Sequence, residues 1–329
     1  MTTTRLLGVG SYVPDKVLSN FDLERMVDTT DAWIVERTGI RERRIAPESM
    51  ATSDLATRAA EGALEFAGRS ASEVDLIIVA TVTPDMMFPS TACLVQRKLG
   101  ASSAAAFDVN AACTGFVYAV ATASAFLSTG SYRLALVIGA DTLSRITDWT
   151  DRATCVLFGD GAGAVVIESS SVNAPPGEIL GSYLAADGTG WEVLMQPAGG
   201  SQMPASRETV DARLHSIKMN GNQVYKFAVR AMGNAVKECL SRCGLTCDDL
   251  DLLIPHQANM RIIEAAAQRL GVPESKVVVN IDRYGNMSSA SIPVALDEAV
   301  RAGRLESGDI GVMVAFGGGL TWGATAFRW

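Results

Sequence analysis

The sequence is short of histidine, of paired cysteine motifs and of charge. Only His215 and His256 occur in 329 residues. The six cysteines (Cys93, Cys113, Cys155, Cys239, Cys243 and Cys247) form no CxxC and no Cys/His pattern, so no metal site is expected. Cys239, Cys243 and Cys247 are spaced four apart, but Gly244 interrupts a continuous helix and neither histidine lies near them. So few cysteines do not make a disulfide scaffold, and the expectation is reduced thiols in the cytoplasm. Charged residues are 19% of the chain and the net charge is -8, which argues against a nucleic-acid binder.

Other absences narrow the field further. The opening MTTTRLLGVGSYVP lacks a charged-then-apolar export pattern. Positions 109 to 132 carry no charge, a length that would suit a membrane span. Their content is mostly Ala, Ser, Thr and Gly, with one Leu and no Ile, so a buried helix is expected and no membrane association. AFGGGLTWGA has no Lys-Ser/Thr after its glycines, so it is no phosphate-binding P-loop. GDGAGA at 159 to 164 precedes a strand instead of opening a helix, which argues against a dinucleotide site.

What is present is a large apolar fraction, 48% of residues, enough for a sizeable core. Apolar runs read as buried strands at VDLIIVATVTP, YRLALVIGAD, DLDLLIPH, VVVNID, GDIGVMVAFGGG and TWGATAFRW. Helical patterns alternate with them: NFDLERMVDTTDAWIVERTGI, SDLATRAAEGALEFAG with Ser53 as its cap, TACLVQRKLG stopping at Gly100, QVYKFAVRAMGNAVKECLSRCG, NMRIIEAAAQRLG and SIPVALDEAVRAG. RERRIA reads as exposed and basic, His215 as a solvated strand residue, and 188 to 216 as irregular. Strands alternating with helices define an α/β protein.

The chain also repeats itself. AGRSASEVDLII (67 to 78) matches CGLTCDDLDLLI (243 to 254) at an offset of 176, pairing Gly68 with Gly244 and Asp75 with Asp251. LALVIGAD falls on IGVMVAFG at the same offset. Two similar halves are expected, 1–173 and 174–329, joined at ESSSVNAPPGE. Superposing DVNAACTGF on NIDRYGNMSSA brings Cys113 close to Asn286, while DLLIPH ends in His256.

Cys113 stands at a strand-to-helix turn, where unpaired N–H groups and the helix dipole favour thiolate and make it a candidate nucleophile. The alternative is an inert core thiol. His256 and Asn286 read alone as a structural histidine and a turn asparagine. The glycines 317 to 319 follow a strand and allow backbone N–H groups to approach a ligand, as in an oxyanion hole.

Taken together, DAWIVERTGIRERR, AACTGF, DRATCVLFGDGAGA, IPHQAN, YGNMSSASIP and AFGGGLTWG resemble the β-ketoacyl-acyl-carrier-protein synthase III family of the thiolase-like superfamily, over essentially the whole chain. The resemblance implies a five-layer αβαβα fold built from two duplicated halves, in a homodimer. It implies an acyltransferase that starts fatty-acid biosynthesis. An acyl-CoA, acetyl-CoA in the first instance, acylates Cys113, and decarboxylative condensation with malonyl-acyl-carrier protein follows. The catalytic set carries over as Cys113, His256 and Asn286, and the oxyanion hole as the N–H groups of Cys113 and Gly318. Trp33, Arg37, Arg152 and Asn259 correspond to the CoA site. Phe88 corresponds to a residue that closes the partner's acyl pocket. Arg261, with Lys226 and Arg269 beside it, corresponds to the carrier-protein docking face, where a basic patch meets an acidic partner. No cofactor is implied, since both thioesters are substrates. The same triad serving a specialised primer in secondary metabolism, a Cys/His hydrolase, and a non-catalytic partner subunit are the competing expectations.

Overall fold

The computed structural model describes residues 3–170 and 177–329. The expected junction near residue 173 lies outside them. Nine strands form the main sheet: β1 Thr3–Tyr12, β2 Leu76–Ala80, β3 Ala105–Val109, β4 Leu134–Thr142, β5 Asp160–Ser170, β6 Glu178–Ala186, β7 Leu252–Pro255, β8 Ile310–Gly317 and β9 Thr321–Arg328. They lie in the order β7-β8-β9-β6-β1-β5-β4-β2-β3. The main helices are α1 Asp31–Thr38, α2 Thr52–Ala67, α3 Thr91–Leu99, α4 Gly115–Ser128, α5 Gly221–Arg242, α6 Met260–Leu270 and α7 Ser291–Arg301.

The sheet has two matching wings. β2 runs parallel to β4 with Leu76 opposite Ala135, and β7 runs parallel to β8 with Leu252 opposite Gly311. Both pairs repeat at the offset of 176 read from the sequence. The outer partner repeats too: β3 lies beside β2, and a single bridge sets Val277 beside Leu253. β1 and β6 join the wings through one residue pair, Arg5 with Glu178.

Layering follows from which faces are apolar. β2 and β4 are buried along their whole length, as strands covered on both faces must be. Between the wings lie α4 and α7, where Phe116, Val120, Ile292 and Leu296 pack with Ile78, Val165, Ile254 and Met313. Outside the first wing, Leu55, Ala59 and Ala63 of α2 and Val95 of α3 meet Ile77, Val79 and Leu136. Outside the second, α5 and α6 cover Leu253, Val312 and Val314. The result is αβαβα. The uncharged stretch 109 to 132 supplies α4, a buried helix, and no helix of the described residues is long and apolar enough to cross a membrane.

Several local expectations fail, each for a visible reason. NFDLERMVDTTDAWIVERTGI is not one helix: Asn20–Leu23 ends early, and Thr30 caps α1 by accepting from Trp33 N. Ala51, not Ser53, is the cap position of α2; Ser53 lies inside the helix and donates its hydroxyl to Asp85. VVVNID makes only the one bridge before turning at Asn280 and Ile281, whose N–H groups donate to Gln257 Oε1. His215 lies in a turn beside Thr209 Oγ1, 2.9 Å away, and not in a strand. RERRIA is not uniformly exposed. Arg43 is fully buried, donating to Leu18 O, Asn20 Oδ1 and Val156 O, and burial lowers its pKa to about 10.

Candidate active site

Cys113 occupies a single 3-10 turn, Ala112–Thr114, between β3 and the start of α4. Ala112 adopts φ 48°, an uncommon conformation for a residue with a side chain. Thr321 supports the turn by donating its hydroxyl to Ala111 O at 3.0 Å. Gly317, at the end of β8, presses against it: a Cβ there would lie 2.7 Å from Cys113 N and 3.1 Å from Thr114 N. Gly318 follows at the same contact, and a Cβ on it would lie 2.8 Å from Leu194 O. The glycine run therefore puts backbone against the cysteine turn at distances that a side chain would block. The role of Gly317 is invisible in a triglycine run until β8 is placed.

The ground-state thiol differs from expectation. The residue is half-buried. Burial pushes its pKa up to about 12, the buried Asp141 carboxylate adds to the rise, and the Ser288 hydroxyl opposes it. Desolvation outweighs the helix terminus, so Cys113 rests as a thiol. Ser288 was not singled out from sequence. Its Oγ is buried and makes no well-formed hydrogen bond among the described residues, yet lies near enough to the Cys113 thiol to favour its thiolate.

His256 follows the last residue of β7, and its N–H donates to Val314 O. The ring stands edge-on to Phe316, with centroids 5.7 Å apart. Neither ring nitrogen finds a partner among the described residues, and burial lowers the pKa to about 3, so the imidazole is neutral. Gln257 explains why the adjacent chain holds still. Its Nε2 donates to Pro255 O and Val278 O while its Oε1 accepts from two N–H groups.

Asn286 is clamped by its backbone between two carbonyl-to-amide bonds: its N–H donates to Leu157 O, and its O accepts from Gly159 N. The preceding Gly285 has φ 63° and no room for a Cβ, which would lie 2.8 Å from Leu157 O. Asn286 Oδ1 accepts from Ser288 N at 2.8 Å.

Cys113, His256 and Asn286 line one cavity of about 360 Å³, with Trp33, Arg37, Asn259 and Arg261 towards its mouth. A second cavity, about 550 Å³, also reaches Cys113 and is lined by Leu143, Ile146, Trp191, Ile217, Ser288 and Gly318 among others. The cysteine stands where the two meet. Arg152 lies 5.1 Å over the Trp33 ring and donates to Asp28 O. Asn259 has both amide ends engaged, Nδ2 on Arg37 O and Oδ1 capping α6 through Arg261 N. Arg261 stacks on Tyr225 at the mouth, and the exposed Lys226 is next to Tyr225 in the chain. Arg269 is set apart, about 12 Å further along α6, against Gly233 of α5. Phe88 lines neither cavity of its own chain and is 84% exposed. Among the described residues no cluster of His, Cys, Asp and Glu could hold a metal ion.

Two duplicated α/β wings around a shared helix pair, with a cysteine turn at the seam, define the thiolase-like fold of condensing enzymes. Sequence comparison narrows the class. Residues 107–188 match the model for 3-oxoacyl-[acyl-carrier-protein] synthase III, and 240–329 match the model for its C-terminal part. A β-ketoacyl-[acyl-carrier-protein] synthase III of Caldanaerobacter subterraneus is 60% identical, over 98% of this chain and 97% of the relative. The crystal structure of 3-oxoacyl-[acyl-carrier-protein] synthase III from Aquifex aeolicus superposes with a TM-score of 0.90 at 48% identity, covering 99% of this chain and 100% of that one. The priming β-ketosynthase of the R1128 polyketide pathway superposes with a TM-score of 0.90 at 37% identity, over 99% and 96% of the two chains. The chain belongs to the β-ketoacyl-[acyl-carrier-protein] synthase III family.

Proposed function

We propose that the protein is the acyltransferase that starts fatty-acid synthesis, loading an acyl group from acyl-CoA onto Cys113 and condensing it with malonyl-acyl-carrier protein. The observation that carries this reading is the neutral, unpartnered His256 sharing a cavity with Cys113 and Asn286. A hydrolase needs a base kept oriented to activate water. No carboxylate of the described residues bonds either ring nitrogen of His256. Two neutral donors, an imidazole N–H and a carboxamide, suit a developing enolate oxygen instead.

In the first half-reaction Cys113 Sγ bonds to the acyl carbonyl carbon, the bond to the CoA sulfur breaks, and the thiol proton leaves with coenzyme A. The N–H groups of Cys113 and Gly318 hold the tetrahedral oxyanion, each contributing about 3 kcal/mol as such donors do elsewhere. In the second, the malonyl carboxylate leaves as carbon dioxide and its electron pair becomes an enolate, held by His256 Nε2 and Asn286 Nδ2. The carbanion attacks the acyl-Cys113 carbonyl, a carbon–carbon bond forms, and the cysteine sulfur leaves and takes up a proton from solvent to return to the thiol. Trp33, Arg37, Arg152 and Asn259 receive coenzyme A, and Arg261 with Lys226 receives the acidic carrier protein. The reaction needs no cofactor. The active form is a homodimer in the cytoplasm, with Phe88 closing the partner's acyl pocket.

A second reading concerns the primer alone. The cavity beside Cys113 is lined by the apolar side chains of Leu143, Ile146, Trp191 and Ile217, which suit a longer acyl chain, and a polyketide priming relative shares the fold at 37% identity. A longer primer uses the same chemistry. Intact-protein mass spectrometry after incubation with a panel of acyl-CoAs tests both readings. A single acyl adduct, lost in Cys113→Ser, supports the nucleophile, and its mass identifies the primer. No adduct with any acyl-CoA would sink the assignment.

A further inference from the structure

The offset of 176 that relates the two wings also relates the residues of the site to a second set. Cys113 falls on Ser289, three residues beyond the Asn286 that the sequence superposition set close to it, and Asn286 falls on Asn110. His256 falls on Ala80 and Gly317 on Asp141. The backbone bears this out. Ser289 sits in a 3-10 turn, Ser288–Ala290, that matches Ala112–Thr114, and Ser288 has φ 47° where Ala112 has φ 48°. Each turn also seats on the other half's strand. The Cys113 turn meets Gly317 of β8, and the Ser289 turn meets β4, where a Cβ at Gly139 would lie 2.2 Å from Ser289 O.

Among the differences between the two sets, the one at the strand end beside each turn sets how that turn is held. Beside Cys113 the strand ends in a glycine. Beside Ser289 it carries Asp141, fully buried. Asp141 Oδ2 accepts from Ser289 N at 3.1 Å and lies 2.6 Å from Ser289 Oγ. Oδ1 accepts from Val82 N, Thr83 N, Thr83 Oγ1 and Thr81 Oγ1 at 2.8 to 3.2 Å. Ser289 Oγ also reaches Ala80 O at 2.7 Å. A carboxylate thus covers in one half the N–H that the glycine leaves uncovered in the other. The tied turn is the one that carries Ser288 and, two residues before it, Asn286. Ser288 is held at a positive φ that surrounding bonds must sustain.

We propose that Asp141 is the positioning residue of the decarboxylating half-reaction: through Ser289 it fixes the turn that aims Asn286 and Ser288 at Cys113, while Gly317, its counterpart, leaves the Cys113 N–H open to the oxyanion. The proposal rests on the condensing reading above. It separates the two half-reactions, because acylation uses the Cys113 turn, supported by Thr321, and decarboxylation uses the Asn286 turn, supported by Asp141.

The test uses the full chain and times two events separately: acyl transfer to Cys113 by quenched intact-mass measurement, and carbon dioxide release from malonyl-acyl-carrier protein. Asp141→Asn keeps the shape but places an amide NH₂ against donors. Acylation is expected within about threefold of the unaltered protein, and decarboxylation at least 30-fold slower. Ser289→Ala keeps the backbone bond to Asp141, and should slow decarboxylation about 5-fold with acylation unchanged. It carries the test if Asp141→Asn does not fold. Equal losses in both half-reactions, or decarboxylation unaffected, would overturn the proposal in either variant. An unaltered protein that neither accepts an acyl group nor releases carbon dioxide would instead overturn the condensing reading itself.

Discussion

Ser288 donates its backbone N–H to Asn286 Oδ1 at 2.8 Å, and that bond decides which end of the amide is available. With Oδ1 occupied, Nδ2 is the end left to meet a substrate in the cavity that Asn286 lines. Asparagine can donate there at any pH because it does not titrate. Asn286→Ala is therefore expected to leave acylation of Cys113 nearly intact and to slow malonyl decarboxylation about 100-fold, the usual effect of removing one donor to a developing oxyanion. Stopped assays of the two half-reactions check this, and equal losses would count against the role.

His256 carries the largest acid-side prediction. Its pKa in the folded protein is lowered to about 3 by burial, below the 6.5 of the exposed group. Between those values the unfolded chain binds a proton that the folded one does not, so stability rises with pH through this window and the contribution is complete above about pH 6.5. Acid melts from pH 6.5 down to pH 4 should show a steep fall in Tm, and a shallower one in His256→Ala. The same neutrality predicts decarboxylation that does not change with pH between about 5.5 and 8 on account of this group.

The Cys113 thiol shifts the other way. A pKa pushed up to about 12 means that the folded protein keeps a proton the unfolded chain loses near pH 9, so this contribution to stability is present below about pH 9 and is lost as pH rises towards 12. Iodoacetamide should alkylate Cys113 slowly at pH 7 and ever faster up to pH 10 without levelling off. A plateau near pH 7 would mean that the helix terminus governs the resting thiol after all.

Much of this was legible in the sequence because it is periodic. The internal repeat predicts the two wings and the shared register of β2 with β4 and β7 with β8, since strand pairing copies the spacing of apolar runs. Cys113 and His256 stand just past apolar runs and Asn286 in a glycine turn, and the family motifs point to all three. Arg43 was misread because a run of charges looks solvated, and only the fold reveals three carbonyl and amide oxygens enclosing its guanidinium. Asp141 and Ser288 gave no signal either. One is a polar residue at a strand end and the other a turn serine, and their importance lies in contacts 148 and 175 residues away. The superposition that set Cys113 beside Asn286 slipped by three residues because small-residue turns match in many registers.

Arg43 supplies a stability prediction. Its guanidinium is buried and pairs with no carboxylate among the described residues, while donating to Leu18 O, Asn20 Oδ1 and Val156 O. Arg43→Ala keeps the Cβ that packs on Gly159 and Gly285 but removes the guanidinium, so Leu18 O, Asn20 Oδ1 and Val156 O lose this donor and the buried space it filled is left empty. A loss of about 3 kcal/mol or more is expected from unpaired buried polar groups. Urea unfolding should show it as a lower midpoint with an unchanged slope.

Gly317→Ala tests the close approach on which the proposed oxyanion hole depends. The new Cβ would lie 2.7 Å from Cys113 N and 3.1 Å from Thr114 N, and both neighbours are backbone atoms that cannot swing aside. Either the turn or the end of β8 has to move. Since Gly318 follows in the same segment, the two proposed N–H donors move relative to each other. Acylation should fall at least 100-fold, because a donor displaced from the oxyanion is lost to the transition state. The folded chain should persist, with β8 still paired along Ile310–Phe316 to β9. Measuring acyl transfer to Cys113 beside a thermal melt separates these outcomes. Unchanged acylation with an unchanged melt would show that the hole tolerates displacement and that its donors lie elsewhere.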